Sequence, residues 1–299
     1  MENKDVKKLG ELSKEYMQFE TPEVFTWCGD CGNYGIQNAL KRALALEGLG
    51  RQDVVFCYDV GCNGNGSDKI EGYTIHGLHG RVLSLAAGCK LANTKQKVIA
   101  AAGDGATFSE GPQHLIHAVR NNYPMVFIFH NNENYGLTTG QASALSPCGS
   151  HRNGTPGEVT IPPLNPLQFV LSLGATFVAR AFSGEVSNLT EVLRDAINHD
   201  GFAFVEVLQA CPTYNKETPD EWYAARVKDV RELANYDRAD IWQARKLVED
   251  VGDDFYLGIL YEDKNRVSFM GTQKYRDGVS TELVEEVKHY DISEFLKDL

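Results

Sequence analysis

The chain has 299 residues, with 29 Lys and Arg against 41 Asp and Glu, a net charge of −12. Such acidity disfavours non-specific attraction to nucleic acid or to an anionic membrane surface, and at this length about three quarters of the unfolded surface can be buried without staples. No apolar run reaches the roughly 18–20 residues that span a bilayer, and "MENKDVKKLGELSKEYMQFE" lacks the apolar centre of a signal peptide. A cytoplasmic, reducing location is therefore expected, where the seven cysteines stay free for metal binding or chemistry.

Residues 1–22 are charged and weakly periodic and read as an N-terminal arm. An α/β body follows over 23–219. It opens with a helical pattern over 33–46, with Ile36, Leu40, Ala43 and Leu44 on one face and Gly48 and Gly50 past its end. The apolar run "DVVFCYDV" over 53–60 reads as a strand. A helix over 80–92 precedes the strand "KVIAAAG", and a helix opened by Gly111 and Pro112 precedes the strand "PMVFIF". Between 139 and 166 the composition turns to Ser, Gly, Pro and Thr, a loop long enough to act as a lid. Two further buried strands, "GATFVARAF" and "FAFVEVL", flank a helical stretch over 188–199. Continuous apolar strands alternating with helices predict an α/β fold, a mostly parallel sheet with helices on both faces. Residues 220–299 read as helical to about 250 and then short and mixed, a C-terminal extension rather than a second domain.

In an open parallel sheet, ligands sit beyond the carboxyl ends of the strands. Asp104 lies just past "KVIAAA", and Asn131, Asn132 and Asn134 lie just past "PMVFIF", so both groups fall on one rim. A carboxylate, an amide oxygen and a main-chain carbonyl are hard ligands suited to Mg2+ or Ca2+ with phosphate oxygens completing the shell. Gly103 and Gly105 let the backbone approach a diphosphate, beside the helix start at Gly111 and Pro112. Gly-Asp-Gly alone would equally make a turn with a capping aspartate. The pair is more telling. Asn132 stands 28 positions after Asp104, and this spacing with its Asn-Asn strand ending resembles the thiamine diphosphate motif of transketolases, decarboxylases and 2-oxoacid oxidoreductases. That resemblance implies a Mg2+ held by Asp104, Asn132 and the main chain of Asn134.

Cys28 and Cys31 form a pair in "WCGDCG", Cys62 follows a strand in "VGCNGNG", and Cys211 follows another in "QACPTYN". Four thiolates can hold zinc or an iron-sulfur cluster, and spacing does not choose between them. Beside a thiamine cofactor the redox-active choice fits the chemistry, because an electron-rich decarboxylation product needs an acceptor and zinc has none to offer. Cys57, Cys89 and Cys148 read as buried or loop thiols, and His114 and His117, three apart, as a packed helix face.

The segments "WCGDCGNYGIQNAL", "VGCNG", "GLHGRVLSLAAGCKLAN", "GDGATFSEGPQHLIHAVRNN", "HNNENYGLTTGQASALSP" and "CPTYN" resemble, in that order, the β subunit of the 2-oxoacid:ferredoxin oxidoreductases, over about 25–214. The resemblance implies the thiamine diphosphate-binding fold and a 4Fe-4S cluster on Cys28, Cys31, Cys62 and Cys211. It places Val60, Gly61, Cys62, Asn63, His79, Gly80, Gly103, Gly105, Ala106, Asn132, Gly136 and Leu137 around the thiamine, with His79 as the catalytic group facing the reacting carbonyl. Arg81 would pair with a phosphate or cap the rim. The implied reaction is oxidative decarboxylation of a 2-oxoacid with coenzyme A to an acyl-CoA, with single electrons passed to ferredoxin. A partner is also implied, an α subunit or separate α and γ subunits, because the glutamate that activates thiamine belongs to a second α/β domain for which this chain has no length.

Three departures stand out. Cys-Gly-Asp-Cys replaces the family's usual Cys-Pro-Gly-Cys, which sets Asp30 beside the cluster, where its charge would lower the potential. Ala106 stands where a second acidic residue is common. Lys69 is the only cation in the stretch after Cys62, which leaves the 2-oxoacid open. A non-redox thiamine decarboxylase or transferase half would keep Asp104 and Asn132 without four cysteines, and a degenerate subunit would bind no thiamine.

Overall fold

In a computed structural model of the chain, residues 13–249 and 254–287 are described, together with Ser293 and Lys297. Eight strands form one sheet: β1 (Val54–Tyr58), β2 (Tyr73–His76), β3 (Lys97–Gly103), β4 (Met125–Asn131), β5 (Phe177–Phe182), β6 (Phe202–Leu208), β7 (Val227–Asp229) and β8 (Phe255–Glu262). Their order across the sheet is β2-β1-β3-β4-β6-β5-β8-β7. The six strands from β2 to β5 run parallel, and β8 joins the edge antiparallel to β5. The chain leaves β1 towards one edge and returns at β3 towards the other, so a crevice opens at the carboxyl ends of β1 and β3.

The strands are apolar on both sides because both sides are covered. Helices α1 (Asn33–Leu46) and α5 (Val186–Asn198) lay Ile36, Leu40, Leu44, Leu189 and Leu193 on one face, against Phe56, Ile128 and Val205. On the other face, α2 (Val82–Ala92), α3 (Pro112–Asn121), α4 (Pro166–Ser172) and α7 (Ile241–Glu249) pack Leu83, Leu115, Leu167 and Val248 around Phe127, Phe129 and Phe204. Phe127 is fully buried and stacks near Phe204 at 5.7 Å. Truncating such a ring costs about 3–5 kcal/mol.

Two expectations change at the ends of the chain. The stretch expected to be helical from 220 to 250 holds only the five-residue α6 (Asp220–Ala224) and then α7, with β7 between them. β8 buries Leu257, Ile259, Leu260 and Tyr261, and its pairing with β5 stitches the C-terminal segment into the sheet. At the other end the first twelve residues of the expected arm lie outside the described residues. Its remainder is anchored: Phe19 is fully buried, edge-on to Phe56, and Glu20 pairs with the buried Lys41 at 3.0 Å.

Candidate active site at the carboxyl rim

The rim is assembled by the loops that leave β1, β3, β4 and β6. Gly103 pairs with His130 in the β3–β4 ladder, Asp59 N–H donates to Ala101 O at 2.9 Å, and Gln209 N–H donates to Asn131 O at 2.9 Å. This pairing brings together residues far apart in sequence. A cavity of about 110 Å³ opens there, and its wall includes Val60, Gly61, Cys62, Asn63, His79, Gly103, Asp104, Gly105, Ala106, Asn132, Asn134, Gly136 and Leu137. Of the expected lining residues only Gly80 is absent from the wall. With φ +69° it shapes the turn from beneath, and a Cβ there would come within 2.7 Å of Glu110.

Asp104 is fully buried and accepts from Ser143 Oγ, a residue of the long loop over 139–166. Burial pushes its carboxyl up to about 7, so it sits where an anion needs a cation. Asn132 and Asn134 fold over each other: Asn134 N–H donates to Asn132 Oδ1 at 3.3 Å, and Asn134 Nδ2 donates to Asn132 O at 2.6 Å. Glu133 between them takes φ +59°, the left-handed turn that reverses the chain after β4. The hard donor set fits a Mg2+, and Gly105 makes room beside it, since a Cβ there would fall 2.2 Å from the Tyr135 ring.

The four cysteines are gathered on the same rim. Cys211 is buried, Cys31 and Cys62 are half-buried and Cys28 is exposed. Burial pushes the Cys62 thiol up to about 12, with the neighbouring sulfurs of Cys31, Cys211 and Cys28 adding to the rise. Burial likewise raises Cys31 to about 11, opposed by the Asn33 main-chain N–H and the Gln209 amide. Four soft thiols that feel one another's charge fit an iron-sulfur cluster. Among the described residues no three His, Cys, Asp or Glu side chains close on one point tightly enough for a single metal ion. A four-iron cluster keeps its thiolates farther apart than a lone zinc would. The two arrays meet at Gly136, where a Cβ would lie 3.2 Å from Cys62 Sγ and 3.3 Å from Asn134 Oδ1.

His79 borders the cavity and meets Tyr135 edge-on, with ring centres 6.1 Å apart. It is placed by a residue that sequence reasoning missed. Asp59, fully buried, accepts from the N–H groups of Val60 at 2.8 Å, Gly80 at 2.9 Å and Val82 at 3.2 Å, locking the His79 turn to the end of β1. Its signal was a charged residue closing an apolar strand just before Gly61. Arg81 caps the rim, donating to the carbonyls of Gly80 and Glu110 at 3.1 and 3.0 Å. Lys69 is buried against Asp68 at 2.7 Å and is spent on that local pair. His117 was expected on a packed helix face but is exposed, its ring beside Asn121 and Tyr123, while His114 is half-buried.

The long loop is tied down as cover for the site. Besides the Ser143 bond, Ser146 Oγ donates to Glu133 O at 2.6 Å, and the buried Arg152 donates to Glu217 at 3.3 Å and Asn215 Oδ1 at 3.2 Å. Asn215, four residues after Cys211, passes its own N–H groups to Asn132 O at 3.3 Å and Glu133 at 3.2 Å. The cysteine loop and the asparagine loop are thereby one hydrogen-bonded unit. Ser143, Arg152, Asn215, His130 and Gln209 carried no local signal in the sequence, because only long-range packing brings them here.

A parallel α/β sheet with a glycine-lined cavity and a buried aspartate at its switch point defines a thiamine diphosphate-binding domain, and residues 59–207 match the family model described as "Thiamine pyrophosphate enzyme, C-terminal TPP binding domain". Residues 211–276 match the family model for the carboxyl-terminal part of the pyruvate ferredoxin oxidoreductase β chain. The 2-oxoacid:ferredoxin oxidoreductase subunit beta of Sulfolobus sp is 36% identical, over 82% of this chain and 84% of that protein. The 2-oxoglutarate oxidoreductase subunit KorB of Mycobacterium tuberculosis is 40% identical, over 66% of this chain and 53% of that protein. The structure of a 2-oxoglutarate:ferredoxin oxidoreductase from Magnetococcus marinus, with 2-oxoglutarate, coenzyme A and succinyl-CoA bound, superposes with a TM-score of 0.85 and 31% identity, covering 94% of each chain. The chain belongs to the β subunits of the 2-oxoacid:ferredoxin oxidoreductases, a family of oxidoreductase enzymes.

Proposed function

We propose that this chain is the cofactor-bearing half of an enzyme that oxidatively decarboxylates a 2-oxoacid of the pyruvate or 2-oxoglutarate class, with coenzyme A, and passes single electrons to ferredoxin in the cytoplasm. The observation that carries the reading is that Asp104, Asn132 and Asn134 line one cavity with Cys62, that Gly136 lies against both Cys62 and Asn134, and that Cys62 neighbours Cys31, Cys211 and Cys28. Asp104, Asn132 Oδ1 and the Asn134 carbonyl would hold Mg2+ on a diphosphate, and the four cysteines a 4Fe-4S cluster. When bound, thiamine diphosphate supplies carbanion stabilisation and the cluster a one-electron relay.

The chain's own residues do the rest. Gly61, Gly103 and Gly105 admit the cofactor to the backbone, and the loop around Ser143 keeps water from the aspartate. His79 stands where it can give a proton to, or take one from, the reacting oxygen. Leu78, beside it, and Leu137, in the cavity wall, leave apolar surface exposed around the cavity. An α subunit, alone or with a γ subunit, would cover that surface and bring the activating carboxylate.

The test is anaerobic co-purification with the partner, followed by iron and sulfide analysis and a panel of 2-oxoacids with coenzyme A and a viologen acceptor. Four irons per chain and acyl-CoA formation dependent on Mg2+ and thiamine diphosphate are expected. A colourless, iron-free complex that still decarboxylates would overturn the redox assignment, and the absence of Mg2+-dependent thiamine diphosphate binding would overturn the whole reading.

A further inference from the structure

Beside Cys31, the cavity wall includes an amide, Gln209, and an imidazole, His130. Gln209, 1% exposed, follows β6 directly, and its Nε2 lies 3.6 Å from Cys31 Sγ, within the range of an N–H···S hydrogen bond. Its Oε1 lies 3.1 Å from His130 Nδ1, and Asn33 Oδ1 lies 3.1 Å from the same nitrogen. Two oxygens converge on one ring nitrogen, so Nδ1 carries the proton and donates to both. Turning the Gln209 amide over would set its NH2 against that N–H and its oxygen against the sulfur, losing both bonds. His130 therefore fixes the sense in which Gln209 meets Cys31. Both His130 and Gln209 also line the cavity.

We propose that Gln209 is a positioning residue that sets the reduction potential of the cluster through its hydrogen bond to Cys31, and that His130 holds its amide in the donating sense. The inference rests on the reading of the four cysteines as cluster ligands. A donor on a ligand sulfur stabilises the more negative, reduced cluster, so it raises the potential. It opposes the charge of Asp30, which follows Cys28 by two residues, takes φ +60° and is exposed beside the cluster ligands. The cluster would take the two electrons of the oxidation one at a time and pass each on; no bond to Gln209 or His130 is made or broken, and the ring proton stays on Nδ1.

The experiment is an anaerobic, dye-mediated redox titration of the holo complex, followed by the spin-resonance signal of the reduced cluster, with iron content and melting temperature measured on every variant. Gln209→Leu keeps the bulk and removes the donor, and about a tenfold fall in the reduced-to-oxidised ratio at fixed poise is expected, about 59 mV for one electron. Gln209→Glu, isosteric and without a donor, should fall further. His130→Leu should follow Gln209→Leu part of the way, whereas His130→Asn, whose amide nitrogen can stand in for Nδ1, should return close to wild type. A residue that merely filled space would show no such order. If both Gln209 variants keep their iron and titrate with the wild type, the inference is wrong while the cluster reading stands. If the wild-type complex holds no iron, the cluster reading fails and takes this inference with it.

Discussion

The two ends of the same sheet handle buried polar groups in opposite ways. At the amino edge Asn122, in the left-handed region at φ +54°, closes every bond it offers. Its Oδ1 accepts from Thr176 Oγ1 at 2.7 Å and from Phe202 N–H at 2.8 Å, and its Nδ2 donates to Val267 O at 3.3 Å. His199 completes the group through Thr176 at 2.8 Å. At the carboxyl rim, Asn33 Nδ2, Asn131 Oδ1 and Ser183 Oγ are buried without a hydrogen-bond partner among the described residues, and Asp104 is a carboxyl raised by burial. A buried polar group that finds its partner stabilises; one that does not costs about 1–3 kcal/mol. The amino edge is built for stability, and the rim leaves polar groups unsettled, as a region proposed to hold ligands would.

This contrast can be broken most severely at Asp104. Asp104→Ala should abolish the stabilisation that Mg2+ and thiamine diphosphate give, about 2.7 kcal/mol at a hundredfold excess over Kd, while the ligand-free protein melts no lower than wild type. Calorimetric titration and thermal melting check both halves, and a variant that still gained stability would remove Asp104 from the metal site. At the opposite edge Asn122→Ala should do the reverse: a loss of about 2–4 kcal/mol by chemical denaturation, with cofactor affinity unchanged once folded.

Gly136→Ala tests whether the rim is one site or two. Its new Cβ meets both Cys62 and Asn134, so thiamine diphosphate affinity should fall about tenfold, roughly 1.4 kcal/mol, and the cluster should become easier to lose to a chelator. If only one of the two properties moved, the arrays would be separable there. The smallest effect belongs to pH. Burial holds the His199 imidazole below its ordinary value, so the folded state favours the neutral ring. The stability this gives is present above about pH 6.5, the unfolded value, and is lost as pH falls from there through the lower folded-state value. Glu262, whose carboxylate lies 3.9 Å away, Asp200 and Asp263 moderate the loss, and Lys264 adds to it. A His199→Gln variant should show a flatter acid limb in melting temperature against pH; an unchanged limb would assign the acid sensitivity elsewhere.

The elements that could be read in advance were those whose signal is local. The strands "KVIAAAG" and "FAFVEVL" stand as β3 and β6 with the boundaries their apolar runs predict, and α1 occupies 33–46. β2 carries no such signal. Its residues are mostly exposed at the sheet edge and give no apolar run. β7 and β8 were hidden in a stretch read as helical and mixed: β7 is a short edge strand, and β8 is recognised only through its pairing with β5 on one side and β7 on the other. At the rim, residue types and spacing pointed to Asp104, Asn132, Asn134 and the cysteines. They said nothing of Ser143 on the aspartate, Asp59 under the His79 turn or Asn215 between the loops, whose roles come from chain reversals that bring 39, 21 and 83 positions together.

What the amino-acid sequence determined by itself was the alternation that makes a covered parallel sheet and the chemistry of the donors at its strand ends. Both follow from local rules, namely the burial of apolar runs and the fixed polarity of a parallel strand, which sends every carboxyl end to one side. The tertiary structure decided which donors meet. The order of strands sets β1 beside β3 and β6 beside β4, and only that order places a cysteine from one loop against a glycine from another and turns an ordinary glutamine towards a sulfur.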